Sequence, residues 1–302
     1  MLNKKEKSRS MTSAQLGIEV SDNEFEAHMN SGVALEKIDA ADPILQTSMK
    51  LLEDGFAGII FTGSPGTGKS RYARLIAEYL TGFDPNKTFY VQFHPGYQYE
   101  DFIESYVPNI NGGFELRPKV FLKACEAAVK SASTPVVLVI DELSRTDVIR
   151  VFGEALTYLE QPKRGVSFYL ASNIEVFIPK NLIVIATMNP WDRGVDELDL
   201  ALERRFAKIK IDPSLESLRK ILEHSSISDA RKLKVEQFFQ MVSNHKNPLC
   251  RIGHAYFQTA KSDEALARLW TNQLVFHFER VLKTDTEEFS SVQTSWARIF
   301  ED

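Results

Sequence analysis

Gly63-Ser64-Pro65-Gly66-Thr67-Gly68-Lys69-Ser70 follows the pattern G-x-x-x-x-G-K-[ST], whose chemistry is the capture of a nucleotide's phosphates. Backbone N–H groups of such a loop wrap phosphate oxygens, and its glycines let the chain turn tightly enough to approach them. Lys69 is placed to reach the β- and γ-phosphates, and the Ser70 hydroxyl to sit on Mg²⁺. A second cluster follows the apolar run Pro135-Val136-Val137-Leu138-Val139-Ile140, which ends in Asp141-Glu142. Asp141 would hold the same Mg²⁺, directly or through water, and Glu142 would orient and deprotonate an attacking water. Thr187-Met188-Asn189 closes another apolar run. Asn189 can hydrogen-bond the γ-phosphate or the water, or it can act as a turn former before Pro190. Arg204-Arg205 leaves two readings open. An arginine supplied by a neighbouring subunit stabilises charge on a transferring phosphoryl group, and a basic pair at a helix end also suits the helix dipole.

For these groups to meet, strands must deliver them to a common edge. Ala57 to Thr62 is a short apolar run ending at the loop, the pattern of a buried strand. Arg71 to Leu80 carries Tyr72, Leu75, Ile76, Tyr79 and Leu80 at helical spacing. The loop therefore opens onto a helix N-terminus, where unpaired N–H groups and the helix dipole favour anions. Further strands are expected over residues 88–93, 135–140, 181–187 and 206–211, and helices over 35–52 and 148–159. Alternation of this kind predicts an α/β fold with a mostly parallel sheet covered on both faces. Two hairpins interrupt it, one turning at Asn111-Gly112-Gly113 and one spanning 167–178 around Ser172-Asn173. Asp212-Pro213 ends the sheet pattern, and helical periodicity continues from there. The expected division is a disordered basic tail over 1–30, a nucleotide-binding domain over 31–212 and a helical domain over 213–302.

The 302 residues are 43% hydrophobic and 25% charged, with a net charge of −5. A chain that binds DNA unaided usually carries a basic excess, so nucleic-acid work here points to a partner or a local patch. Cys125 and Cys250 lie outside any C-x-x-C or histidine cluster, which argues for packed side chains and against zinc or a disulfide framework. No apolar run is long enough to span a membrane. Lys4, Lys5, Lys7 and Arg9 are followed by no apolar segment, so the basic run reads as a solvated tail and not a secretory signal.

The whole set resembles an AAA+ ATPase, and more narrowly the McrB-like motor subunits of modification-dependent restriction systems. The resemblance runs from about Leu51 to Tyr256. It rests on the phosphate loop, Gln92-Phe93-His94, Tyr99-Glu100-Asp101-Phe102-Ile103, Ile140-Asp141-Glu142 and Val151-Phe152-Gly153-Glu154. It continues through Met188-Asn189, Asp192-Arg193, Arg204-Arg205-Phe206 and Arg251-Ile252-Gly253-His254. It implies a P-loop NTPase core of the AAA+ class with a C-terminal helical lid, assembled as a ring, hexameric in such proteins, with sites between subunits. It implies Arg204 or Arg205 as the trans-acting finger. It makes Arg251 a candidate γ-phosphate sensor, beside a packing or salt-bridge role. The implied partner is a McrC-like nuclease in cytoplasmic anti-phage defence, with DNA reached through that partner. The MoxR-like chaperones share the core residues and act on protein clients. Two departures stand out. The family's N-terminal DNA-reading domain has no counterpart here, and Met188-Asn189-Pro190-Trp191-Asp192 replaces its Met-Asn-Thr-Ala-Asp. The family prefers GTP, but with that altered motif and no Asn-Lys-x-Asp guanine signature, ATP and GTP both stay open here.

Overall fold

The computed structural model describes residues 36–110, 112–131, 134–190 and 200–301. The expected tail over 1–30, Asn111 of the hairpin turn, and Trp191, Asp192 and Arg193 lie outside the described residues. Ile38–Asp302 form one compact unit. Helix α1 (Pro43–Glu53) precedes β1 (Gly58–Thr62), and α2 (Lys69–Thr81) follows the glycine-rich loop. Next come β2 (Thr88–Gln92), α3 (Tyr99–Phe102), the hairpin of β3 (Glu104–Pro108) and β4 (Phe114–Pro118), and α4 (Val120–Ser131). They lead to β5 (Val136–Asp141), α5 (Val148–Phe152), α6 (Ala155–Tyr158) and the small hairpin of β6 (Phe168–Tyr169) and β7 (Glu175–Val176). Then follow β8 (Leu182–Met188), α7 (Leu200–Glu203) and β9 (Phe206–Lys210). The rest is helical: α8 (Leu215–Glu223), α9 (Asp229–Ser243), α10 (Asp263–Leu269), α11 (Val275–Val281) and α12 (Thr286–Ala297).

β1, β2, β5, β8 and β9 make a five-stranded sheet in the order β2-β5-β8-β1-β9. All of its pairings are parallel. The strands alternate between two cores with the period of two that a pleat imposes. Ile60, Leu138, Ile140, Val184 and Ala186 pack on one face, with α4 supplying Phe121, Ala124 and Cys125. Ile59, Phe61, Val137, Val139 and Ile185 pack on the other, against Ala73, Ile76 and Ala77 of α2 and Leu45 of α1. Being buried on both faces explains why these strands read as unbroken apolar runs. The C-terminal helices have a hydrophobic cluster of their own, which includes Leu218, Phe238, Phe257, Phe278 and Trp296.

Two helices differ from the sequence expectation. The helix expected from residue 35 begins at Pro43, because the Asp42 side chain accepts from the N–H groups of Ile44 and Leu45 and Pro43 fixes the first turn. The helix expected over 148–159 is two short ones. It breaks at Gly153, whose φ of 50° and ψ of −131° no helix continues through. Periodicity alone cannot see such a break, since both halves keep their apolar residues on the same side.

Candidate active site

The phosphate loop is shaped by its own carbonyls. Gly66 and Gly68 have φ of 75° and 89°, left-handed values that reverse the chain into α2. The Lys69 ammonium donates to the carbonyls of Gly63 and Ser64 at 3.0 and 2.9 Å. The Thr67 hydroxyl also donates to Ser64, at 3.0 Å. From the C-terminal region, the Gly253 N–H donates to the Pro65 carbonyl at 2.9 Å and the Ala255 N–H to the Gly66 carbonyl at 3.0 Å. Four successive carbonyls are thus occupied. In a trans peptide the next N–H points the opposite way, so the amides of Ser64, Gly66 and Thr67 face away from these contacts and toward a ligand. That is the polarity an anion cradle needs.

Both acids arrive at the end of β5, one strand removed from β1 across β8, at the same edge of the sheet. Asp141 is the last residue of β5. Its Oδ1 accepts from the Ser70 hydroxyl at 2.8 Å, and from the Thr187 hydroxyl. Thr187 in turn accepts from the Glu142 N–H at 3.2 Å. Glu142 sits at φ 56° and ψ 43°, a left-handed conformation that costs a non-glycine residue about 1–2 kcal/mol. Strain of this kind collects at functional sites. Arg145 Nε donates to Glu142 Oε2 at 3.3 Å, so the carboxylate is held as well as the backbone. Asn189, buried, lies one residue past the pairing of Met188 with Thr62, beside the start of the loop. Ser70 and Asp141 present a hydroxyl and a carboxylate oxygen to one point. This suits Mg²⁺, which takes one or two protein oxygens and fills its other positions with water and phosphate. Among the described residues, no group of three or more His, Cys, Asp and Glu is arranged as a metal cluster.

Comparison with known proteins agrees with this geometry. The family described as an AAA domain of the dynein-related subfamily matches residues 58–206, the span from β1 to the start of β9. The McrB subunit of the type IV methyl-directed restriction enzyme EcoKMcrB from Escherichia coli strain K12 is 34% identical over 235 residues, 72% of this chain and 51% of that one. Component YdiS of the type II restriction enzyme BsuMI from Bacillus subtilis strain 168 is 30% identical over 209 residues, 56% of this chain and 60% of that one. The chain carries an AAA domain and is McrB-like in sequence. It spans between half and two thirds of the length of these relatives.

In this McrB-like chain the arginine pair stands apart from the loop. The Ala57 N–H donates to the Arg205 carbonyl at 2.9 Å, which fixes Arg205 where β1 begins. The phosphate loop starts where β1 ends. Five strand residues separate the two, or about 16 Å at the usual rise. Both arginines use Nη2 to hold one oxygen, Glu160 Oε1, at 2.6 Å from Arg204 and 2.7 Å from Arg205. The Arg204 side chain is 66% exposed and that of Arg205 5%. Partial burial works to raise the Glu160 carboxyl. The hydrogen bond from Arg204 and the charges of Arg205, Arg204 and Lys163 outweigh it and hold the carboxyl below its ordinary value. A cleft of about 360 Å³ opens beside the pair, lined by Phe56, Glu160, Pro162 and both arginines.

Arg251 donates from Nε to the His245 carbonyl at 2.9 Å. The residues around it that touch the loop are Gly253, Ala255 and Tyr256, whose ring lies over Gly66. Sequence reasoning assigned no role to Thr187, Arg145, Glu160 or Arg164. The last is buried, and its guanidinium donates to the carbonyls of Leu159, Pro179, Leu182 and Ala57. Burial lowers its pKa to about 10. A polar residue ending an apolar strand, as Thr187 nearly does, was the one available signal among these. Glu160 and Arg164 act through pairings far apart in the chain, and Arg145 reaches back three residues to Glu142. Cys125 and Cys250 are both buried, and burial pushes their thiols up to about 12 and about 11. Neither is a nucleophile.

Proposed function

We propose that this chain is the motor subunit of a DNA-restriction assembly, a ring of AAA+ subunits that hydrolyses ATP or GTP with Mg²⁺ and drives a McrC-like nuclease partner in cytoplasmic anti-phage defence. Lys69 and the loop amides hold the phosphates. Ser70 and Asp141 hold the Mg²⁺, which when bound offsets charge on the phosphate oxygens. Glu142 takes the proton of the attacking water, and Asn189 orients that water or the γ-phosphate. Arg204 is the finger, because it is the exposed member of the pair, and Arg205 anchors Glu160 beneath it. DNA is reached through the partner. The hexameric ring is part of this proposal, as is a helical lid over 213–302, with Arg251 as a candidate sensor within it.

One observation carries the reading. The phosphate loop and the acids sit at one edge of a rigid sheet and the arginine pair at the other, too far to serve the same nucleotide. A subunit built this way completes its site only with a neighbour. The test is subunit mixing. Lys69→Ala and Arg204→Ala each lose turnover. Mixed, they regain a fraction, because the intact Arg204 of one faces the intact loop of the other. Glu142→Gln should trap bound nucleotide and stabilise rings. Mixtures as inactive as their components, at concentrations where wild type turns over, refute the shared site. Wild type that hydrolyses no nucleotide, with or without the partner nuclease, refutes the motor.

A further inference from the structure

The segment Gly253–Tyr256 does more than pack on the phosphate loop. A Cβ built on Gly253 would lie 2.0 Å from the Gly66 carbonyl carbon and oxygen and 2.3 Å from the Thr67 nitrogen. No real side chain fits there, so position 253 requires glycine for its backbone to reach Pro65 and Gly66. This close approach sets the next residue, His254, beside the turn into α2. Its Nε2 is 3.7 Å from where a Cβ on Gly68 would stand. The other ring nitrogen, Nδ1, accepts from the Ser214 N–H at 3.4 Å. A ring that accepts at Nδ1 carries its proton at Nε2 when neutral. Burial, and then the charge of Arg71, keep the ring neutral and push its pKa down to about 4. The ring therefore turns a fixed N–H toward the helix N-terminus that holds Lys69 and Ser70, and among the described residues no hydrogen bond uses it.

Resting on the reading of the loop as a phosphate cradle, we infer that His254 is a nucleotide-binding residue, donating from Nε2 to a non-bridging phosphate oxygen, and that Gly253 is the positioning residue that brings it there. A neutral donor at this point adds a directed hydrogen bond where Lys69 and Arg71 already supply charge. Its dependence on Gly253 means the phosphate site is not complete within residues 58–206.

The test uses the full chain and two probes, a fluorescent nucleoside triphosphate and inorganic tripolyphosphate as competitor. A hydrogen bond to a charged acceptor is worth roughly tenfold or more in affinity. His254→Ala should weaken both probes by about that factor, with kcat changed much less than KM, and His254→Gln should recover most of the loss through its amide N–H. Gly253→Ala should weaken both probes at least as much. If His254→Ala binds both within twofold of wild type, the assignment is wrong. If it weakens the nucleotide but not tripolyphosphate, the contact is to sugar or base and the phosphate assignment is wrong. If wild type binds neither probe, or Lys69→Ala binds them as well as wild type, it is the phosphate-cradle reading that fails.

Discussion

Replacing Thr187 with valine tests whether one buried hydroxyl holds both catalytic acids in place. Thr187 is 2% exposed. Its hydroxyl gives its only proton to Asp141 and takes the Glu142 N–H. Valine keeps the shape and removes both bonds. The bond to a carboxylate is worth about 1.5–3 kcal/mol, and an amide left without an acceptor costs about 1–3 kcal/mol where it is buried. Glu142 also sits in a strained left-handed conformation. Freed from Thr187, it has an incentive to relax away from where it is needed. If only the loss at Asp141 reaches the transition state, kcat falls about 10- to 150-fold. The nucleotide KM stays within about threefold, because Lys69 and the loop amides make none of these bonds. Stability drops by about 2–3 kcal/mol, or some 4–12 °C in melting temperature for a domain this large. Steady-state turnover well below the variant's melting point, with thermal unfolding alongside, measures both. Thr187→Ser should restore most of the rate. Wild-type turnover and an unchanged melting temperature in Thr187→Val would falsify the claim that this hydroxyl organises the acids.

Arg164→Met should be among the most damaging substitutions in the chain, since it leaves four carbonyls without their donor at about 1–3 kcal/mol each where buried. A melting temperature within a few degrees of wild type would count against it. Glu160→Gln should lower turnover in assembled rings while leaving nucleotide affinity of the dilute subunit unchanged, because it loosens the arginine pair at the far edge from the loop. Equal rates at saturating protein would remove Glu160 from the mechanism. Stability should also fall with acid. Burial and Arg71 push His254 down to about 4, and burial and Arg280 lower His277 against a hydrogen bond that its ring donates to the Leu249 backbone, which raises it. Below about pH 6.5 the unfolded chain takes up protons that the folded chain refuses, so the His254 contribution is present above that pH and is lost progressively down to about 4. The slope is at most about 1.4 kcal/mol per pH unit for each histidine. Urea midpoints at several pH values should decline less steeply in His254→Gln than in wild type, and parallel declines would contradict the depressed value.

The chemistry at the loop edge was readable because it is local. Glycine spacing, Lys69, Ser70 and the acids after an apolar run need no knowledge of distant pairing. The five strands were readable for a related reason, since burial on both faces writes continuous Val, Ile and Leu runs into the sequence. What escaped depends on who meets whom. Glu160 looks like a solvated acid until Arg204 and Arg205, from the far side of one hairpin and a strand, close on one of its oxygens. Arg164 looks like a surface arginine until four carbonyls from separate elements surround it. Gly253 looks like a loop glycine until Gly66 presses against it. The break at Gly153 was missed because a helical pattern continues on both sides of it.

The groups assigned to the ligand also pair with one another. Lys69 rests on two loop carbonyls, and Ser70 and Thr187 both rest on Asp141. The Lys69 and Ser70 bonds would rearrange around bound phosphates, because the ammonium has to turn toward them and the Ser70 hydroxyl away from the carboxylate, while the Thr187 hydroxyl keeps its bond to Asp141. The exchange favours binding, since neutral carbonyl acceptors give way to charged oxygens for the same donor. The Pro65 and Gly66 carbonyls, by contrast, are held by Gly253 and Ala255, whose amides need not move when the phosphates bind. The side of the loop held by Lys69 must therefore adjust to the ligand, while the side held by the C-terminal segment stays fixed as long as that segment does. Any displacement of the segment will reach the phosphates through those two hydrogen bonds, which makes its position a control on affinity.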